Sequence, residues 1–384
     1  MRVLVAHSFY RLPGGEDRYV GQQVRLLERR HDVSLLGPRN TELRTGLATA
    51  SGMAYSRAAL RRVEEELARF DPDIVHLHNA YPALGPAVHL AAERRGVPLV
   101  MTVHNFRLRC PNGYMFTEGA PCRRCESGMY AHAVVHRCFP SRAQAAGYAA
   151  ALWVHRFVLR LHDKVRTFIT PSGFVAARLL EWGVPPDRVE VVRNFTEVRG
   201  EPGSAGSYLM YLGRLSGEKG VDVLLRAARA AGDPPLKIVG DGPVQAPLEG
   251  LARDLGLERT RFVGRVEADA VPALLRDARA LVLPSVWDEN APIAALEAMA
   301  LGRPLVVART GGLPELVGSG EGFGCEPGDV DDLAATLRSV LDDDDACVRA
   351  GRRAWERAAA EFTPDRHLER LEDVYSKVAA SVPN

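Results

Sequence analysis

The second half of the chain holds the residues best suited to chemistry. Gly213-Arg214-Leu215-Ser216-Gly217-Glu218-Lys219-Gly220 puts a guanidinium and an ammonium on a glycine-rich turn that leads into a helical pattern from Val221. Glycines allow close backbone approach, Arg214 offers a planar fork for phosphate oxygens, and Lys219 offers a point charge. The spacing is not that of a P-loop, because the paired Lys-Ser/Thr is missing. Gly240-Asp241-Gly242-Pro243 is a second turn, placed directly after a buried strand pattern.

A third stretch, Trp287-Asp288-Glu289-Asn290-Ala291-Pro292-Ile293-Ala294-Ala295-Leu296-Glu297, brackets an apolar run with two carboxylates. Asn290 is expected to cap a helix with Pro292 in its first turn. Glu289 then lies on the loop, and Glu297 nearly two turns inside the helix. Backbone N–H groups over Asn290, Ala291, Pro292 and Ile293 suit an anion, and the carboxylates suit hydroxyls. Thr310-Gly311-Gly312-Leu313-Pro314-Glu315 reads as a further glycine turn opening a further helix. Any one of these stretches is compatible with a plain surface loop. Four of them in one half of the chain favour a site for a nucleotide sugar.

The elements that must position these groups follow from periodicity. Short apolar runs at Val3–Ala6, Val33–Leu36, Ile74–Leu77, Leu99–Val103, Thr167–Thr170 and Val189–Val192 alternate with helix-length segments such as Arg57–Phe70 and Leu84–Arg95. After a Gly/Ser/Pro-rich connector at 197–207, the alternation restarts at Tyr208–Leu212, Leu236–Val239, Arg261–Val263, Ala280–Leu283 and Leu305–Val307. Fully apolar strands with helical crossovers predict parallel sheets covered on both faces. The expected fold class is α/β, with two doubly wound Rossmann-like domains, 1–200 and 201–384, facing a cleft that the strands' carboxyl ends address. The chain is helical from Asp329, and a last helix at about 364–380 can pack back on the N-terminal domain.

Composition bounds the partners. Lys plus Arg total 49 against 48 acidic residues, so no global field favours nucleic acid. The N-terminus lacks a sustained apolar run and no stretch reaches transmembrane length, which predicts a cytoplasmic protein. Residues 144–162 read as an amphipathic helix with Arg156, Arg160 and His162 on its polar side, suited to packing on a sheet or to peripheral contact with the inner membrane face.

Taken in order, these motifs resemble the family 4 retaining glycosyltransferases of the GT-B fold. The resemblance rests on Gly213-Arg214-(x4)-Lys219-Gly220, Gly240-Asp241-Gly242-Pro243, the Glu289-(x7)-Glu297 pair and the Gly311-Gly312-x-Pro314-Glu315 turn, and it spans nearly the whole chain. It implies transfer of a sugar from a nucleoside-diphosphate sugar to the hydroxyl of a natural product, polysaccharide or lipid-linked acceptor. Arg214 and Lys219 would then grip the diphosphate, Glu289 the donor sugar, Glu297 the ribose, and the backbone of Val263, Gly264 and Arg265 the base. The family usually has Gly-Phe-Gly after the first glutamate, where this chain has Asn290-Ala291-Pro292. His104, at the end of Leu99–Val103, is similar to the family's strand-end histidine beside the reaction centre, with Asn105 on the acceptor side. Gly14 and Gly15 match its first glycine loop, with Glu16 and the segment 8–13 related to the acceptor. His76 and His78 suit core or supporting roles. No cofactor is required for this chemistry. An epimerase or hydrolase on the same architecture, or a non-catalytic nucleotide-sugar-binding protein, are the alternatives.

Cys110-(x11)-Cys122-(x2)-Cys125-(x12)-Cys138 lies in a turn-rich loop, 105–140, directly after His104. Four thiolates can close a tetrahedral structural zinc site, with His132 or His136 able to replace one of them; two disulfides or free thiols are the other readings. Cys325 and Cys347 are isolated and read as core residues.

Overall fold

A computed structural model describes residues 1–11, 14–39 and 53–380. The chain divides into two compact units, the first comprising 1–118, 122–192 and 368–384, the second 119–121 and 193–367. Leu12 and Pro13, part of the segment expected near an acceptor, lie outside the described residues.

The first unit is built on a six-stranded parallel sheet: β1 (Arg2–Ala6), β2 (Asp32–Leu36), β3 (Ile74–Leu77), β4 (Leu99–Thr102), β5 (Thr167–Thr170) and β6 (Val189–Val191). Their order is β2-β1-β3-β4-β5-β6, with β1 pairing Val3 with Val33 on one side and with Ile74 on the other. β3 and β5 are buried along their whole length, as strands covered on both faces must be. Ser56, Ser141 and Ser172 each accept a backbone N–H at a helix start, satisfying donors that the first turn leaves open. The helix Pro364–Ala380 enters this unit from residue 368, where Tyr375 is fully buried and Lys377 pairs with Glu190 at 2.7 Å.

The second unit repeats the plan with β7 (Tyr208–Leu212), β8 (Leu236–Val239), β9 (Thr260–Gly264), β10 (Ala278–Leu283), β11 (Leu305–Ala308) and β12 (Gly322–Cys325), ordered β9-β8-β7-β10-β11-β12. β12 is not evident from the sequence pattern: Gly-Phe-Gly-Cys carries no β-branched run, and it is a strand because it pairs along β11 from Leu305↔Gly322 to Ala308↔Cys325. Asp329 caps the helix Val330–Asp342, and Asp343 ends that helix while capping Asp344–Glu361, so the acidic run Asp342–Asp345 is a helix-to-helix joint. Cys325 and Cys347 are buried core residues, as expected.

Two helical expectations need correction. Pro314–Leu316 is a single 3-10 turn, not a helix, since Gly318 and Gly320 follow at once. Residues 144–162 are not one helix. An α-helix, Arg142–Trp153, passes into a π-turn at Val154–Val158 and breaks at Arg160, which is left-handed with φ 48°. The expected polar side is met only in part: Arg160 is exposed and Arg156 and His162 are half-buried, while Trp153, Phe157 and Val158 are 49%, 46% and 59% exposed.

Candidate functional site

All strands of the second unit run parallel, so the loops leaving β7, β8, β9, β10 and β11 share one edge of its sheet. Backbone bonds stitch three of them together: Gly213 N–H donates to Val239, Leu215 N–H to Asp241, and Gly240 N–H to Gly264. Gly240 is required here. Its φ is +132°, and a Cβ would stand 1.9 Å from the Gly213 carbonyl oxygen. Around this seam Arg214, Asp241 and Arg265 are exposed on the loops and Val263 is exposed near the end of β9, with Gly242 and Gly264 half-buried beside them.

Lys219 ends a 3-10 turn, Gly217–Lys219, and Gly220 starts the helix Val221–Ala230. The Lys219 ammonium donates to Glu289 Oε1 at 2.7 Å, and the Ser285 hydroxyl donates to the same oxygen at 2.7 Å. The ammonium also lies 5.0 Å from the Trp287 ring centroid, a cation–π distance. Glu289 is 6% exposed, and its loop is held at its back by Gly311 and Gly312. Gly312 N–H donates to the Glu289 carbonyl at 2.7 Å, and a Cβ on Gly311 would come within 2.2 Å of that oxygen. Thr310 adds a bond to Asp288 at 2.9 Å. Beneath the site, the buried Tyr211 hydroxyl donates to the Arg214 carbonyl at 2.8 Å. Burial, then the Glu289 and Glu218 charges, raise its pKa well above the ordinary phenol value.

The helix after Glu289 starts later than expected. Pro292 is its cap and it runs Ile293–Ala300, so Asn290 is a buried loop residue and Glu297 sits just over one turn in. Proline lacks an N–H, so the helix's leading donors come from Ile293 and Ala294. The Ala291 carbonyl accepts from Asn194 at 3.0 Å, which holds the loop open at that point. Glu297 is 3% exposed. Spacing alone does not mark Ser285, Trp287 or Tyr211 as site residues, since each joins Glu289, Lys219 or Arg214 only through the folded loops.

In the first unit, His104 follows β4 and is half-buried. His78 Nδ1 and His104 Nε2 share a hydrogen bond of 2.8 Å, and the rings stack. His76 stacks on His78 in turn, with its nitrogens 2.6 Å from the Tyr375 hydroxyl and 2.7 Å from Thr102. Asn105 turns back to accept Arg107 N–H at 3.0 Å. At the other loop, His7 meets Asp17 at 2.8 Å, and Asp17 also accepts Gly14 N–H, closing the start of the helix Gly15–Leu27. Tyr10 donates to Glu16 at 3.0 Å; burial outweighs the nearby His7 and raises the Glu16 pKa. A Cβ at Gly14 or Gly15 would meet nothing within 4 Å, so the fold itself does not demand glycine at either position.

The four loop cysteines are free thiols that line one cavity together with His132 and His136. Cys110 donates to Asn112 at 2.9 Å and Cys138 to Thr117 at 3.6 Å, while Arg124 donates to the Cys122 sulfur at 3.6 Å. Burial, then the Cys110, Cys138 and Cys122 thiols beside it, push Cys125 up to about 12. Among the described residues, no three His, Cys, Asp or Glu side chains are arranged so as to hold a metal ion. No helix of the described residues is long and apolar enough to cross a membrane.

Comparison with known proteins agrees with this geometry. Residues 13–199 match the family model described as Glycosyltransferase Family 4, and residues 196–357 match that described as Glycosyl transferases group 1. A glycogen synthase of Mycobacterium tuberculosis is 35% identical over 327 residues, covering 82% of this chain and 71% of its own. A 2-deoxystreptamine glucosyltransferase of Streptomyces kanamyceticus is 31% identical over 335 residues, covering 82% and 80%. Among solved structures, sucrose-phosphate synthase from Thermosynechococcus elongatus superposes with a TM-score of 0.75 at 16% identity, covering 99% of this chain and 100% of its own. Anabaena HepE, solved with UDP and glucose, gives 0.70 at 20% identity over 98% and 100%. These likenesses show a GT-B fold of two Rossmann-like units.

Proposed function

Since the chain belongs to the family 4 glycosyltransferases, with a group 1 second half, we propose that it moves a hexosyl group from a nucleoside-diphosphate sugar to an acceptor hydroxyl with retention of anomeric configuration. The observation that carries this reading is the Lys219–Ser285–Glu289 cluster on the carboxyl edge of the second sheet. Lys219 and the exposed Arg214 supply cations for a diphosphate, and the seam from Gly213 to Gly264 supplies close backbone approach. Val263 and Arg265 lie on the same edge for the base. Glu297 sits on the next helix for the ribose.

Glu289 is suited to holding sugar hydroxyls. One of its oxygens is fixed by an ammonium and a hydroxyl, and a carboxylate so engaged is a weak nucleophile. Retention without an enzymic nucleophile follows if the acceptor hydroxyl attacks on the face the diphosphate leaves, giving its proton to a departing phosphate oxygen. The protein's part is then to stabilise charge on the leaving group, usually the largest contribution to such a transfer. In the first unit, His104 offers an imidazole held by His78, and the open backbone at Gly14 and Gly15 leaves room for close ligand approach. Glu16 and Asn105 serve the acceptor.

Thermal shift against UDP-, GDP-, ADP- and dTDP-sugars tests the donor site. One of these should raise the melting temperature, because a ligand that binds only the folded state stabilises it. No shift with any of them would overturn the donor assignment. Incubation with donor alone should give slow turnover; rapid consumption would point to an epimerase or hydrolase instead. An NMR assignment of the product's anomeric centre tests retention.

We also propose peripheral contact with an anionic lipid surface through Trp153, Phe157 and Val158, supported by their exposure beside Arg160. Co-sedimentation with phosphatidylglycerol vesicles should fall in a Trp153→Ser/Phe157→Ser variant. Equal binding by that variant would remove this face from consideration.

A further inference from the structure

Beyond Asn105, the loop between His104 and the helix Arg142–Trp153 is not used by the proposed chemistry, yet it concentrates four of the six cysteines. Its apolar support is thin for its length: Phe106, Met115 and Ala133 are buried, and Cys125 and Tyr130 pack against Ala149 and Leu152 in a separate cluster of four residues. The backbone is mostly tight turns, with a pair of two-residue strands, Phe116–Thr117 and Ala120–Pro121, and one helical turn, His132–Val135. Cys110 N–H donates to Phe106, Gly113 to Cys110, Gly128 to Cys125 and Cys138 to Ala133, so every cysteine but Cys122 sits at a turn; Cys122 is bonded to Met115. A segment this long with so small a core needs another source of order.

We propose that Cys110, Cys122, Cys125 and Cys138 form a structural zinc site of four thiolates that closes this loop. The four thiols line a single cavity although up to 28 residues separate them, and the pair Cys122–Cys125 has the two-residue spacing of a zinc knuckle. Soft sulfur ligands in this number select zinc over magnesium or calcium, and four of them leave no coordination position for water, so the ion would order the loop without joining the reaction.

In the structure two of the thiols spend their hydrogens on local acceptors, Cys110 on Asn112 and Cys138 on Thr117. A thiol is a weak donor, and its loss is a small cost beside a metal–thiolate bond. Loading therefore turns these two side chains into the cavity. Each cysteine gives up one proton, four in all, and the Zn²⁺ with four thiolates carries a net charge of two minus. Arg124, already donating to the Cys122 sulfur, offsets part of that charge. His136 is held by Glu118 at 3.0 Å and stays outside the ligand set. The loop leaves the sheet at His104, so closing it would also fix Asn105 and Arg107.

The test uses the full chain purified under reducing, chelator-free conditions, and it does not depend on the proposed transferase activity. Elemental analysis should give about one zinc per chain. Removing the zinc and adding Co²⁺ should produce thiolate-to-cobalt charge-transfer absorption with the intense visible bands of a tetrahedral four-sulfur site. Cys122→Ser should lower both zinc content and melting temperature. Clearly substoichiometric zinc, with four thiols freely alkylated and no cobalt spectrum in the wild-type chain, would overturn the proposal even if the variant failed to fold. So would paired, alkylation-resistant cysteines in the unreduced chain.

Discussion

His78 Nδ1 and His104 Nε2 lie 2.8 Å apart, with their ring planes inclined by only 19°. A single proton occupies that contact, so the tautomer of His78 decides whether Nδ1 of a neutral His104 carries a proton or is an acceptor. His76 sits behind His78, bonded to Tyr375 and Thr102, and completes a stack that fixes the ring orientation.

On the proposed role of His104, His78 acts as a positioning residue. His78→Phe keeps the ring volume and the stack but removes the nitrogen, and kcat should fall by about tenfold, roughly 1.4 kcal/mol in the barrier. His78→Asn places an amide near the lost nitrogen and should recover part of that loss. Steady-state kinetics, with a melting curve for each variant, check this. Unchanged kcat in His78→Phe would show that the contact has no catalytic consequence.

Lys219→Ala and Glu289→Ala should each lower turnover by about a hundredfold or more, the usual consequence of removing a preorganised charge at a transfer site. The two effects should separate on stability. Lys219→Ala leaves Glu289, 6% exposed, with a buried carboxylate that has lost its cation, and its melting temperature should fall. The double variant Lys219→Met/Glu289→Leu should regain stability without regaining activity. Near-normal turnover in both single variants would refute the assigned roles.

Acid should destabilise the fold through three histidines, two of them, His89 and His367, buried. Burial pushes the His89 pKa down to about 3 and those of His162 and His367 down to about 4. An unfolded histidine titrates near ~6.5, so the unfolded chain binds more protons below that pH and stability falls as the pH drops. The contribution is complete above pH ~6.5 and declines from there toward about 4, at no more than roughly 1.4 kcal/mol per pH unit for each group. Denaturant melts from pH 7.5 to 4.5 would show the slope. His89→Phe should reduce it, and an unchanged slope would exclude that residue as a source.

Gly240→Ala places a Cβ against the Gly213 carbonyl in a left-handed backbone position. The strain should cost about 1–3 kcal/mol and lower the melting temperature. The seam between the loops after β7 and β8 would shift with it, so donor-induced stabilisation should weaken as well. Thermal melts with and without donor check both effects.

Much of the architecture was legible along the chain. Eleven mainly apolar or β-branched runs mark eleven of the strands, because a strand covered on both faces, as β3 and β5 are, has little place for charged side chains. The errors arose where local preference was overruled. Asn290 is a good cap by type but lies buried in the loop, and Pro292 takes the cap instead. Residues 144–162 have helical propensity, yet the α-helix ends at Trp153, passes into a π-turn and breaks at the left-handed Arg160. Gly322–Cys325 has almost no strand propensity and becomes a strand through pairing with Leu305–Ala308.

By itself the sequence determined the doubly wound plan and which loops carry glycine, cation and carboxylate. Those properties depend on periodicity and side-chain type, which are local. Only the tertiary structure decided which groups meet: Lys219 with Glu289 across 70 residues, His78 with His104 across 26, and four cysteines around one cavity. Hydrogen bonds act over about 3 Å, and only the packing of the sheets brings residues so distant in the chain within that range.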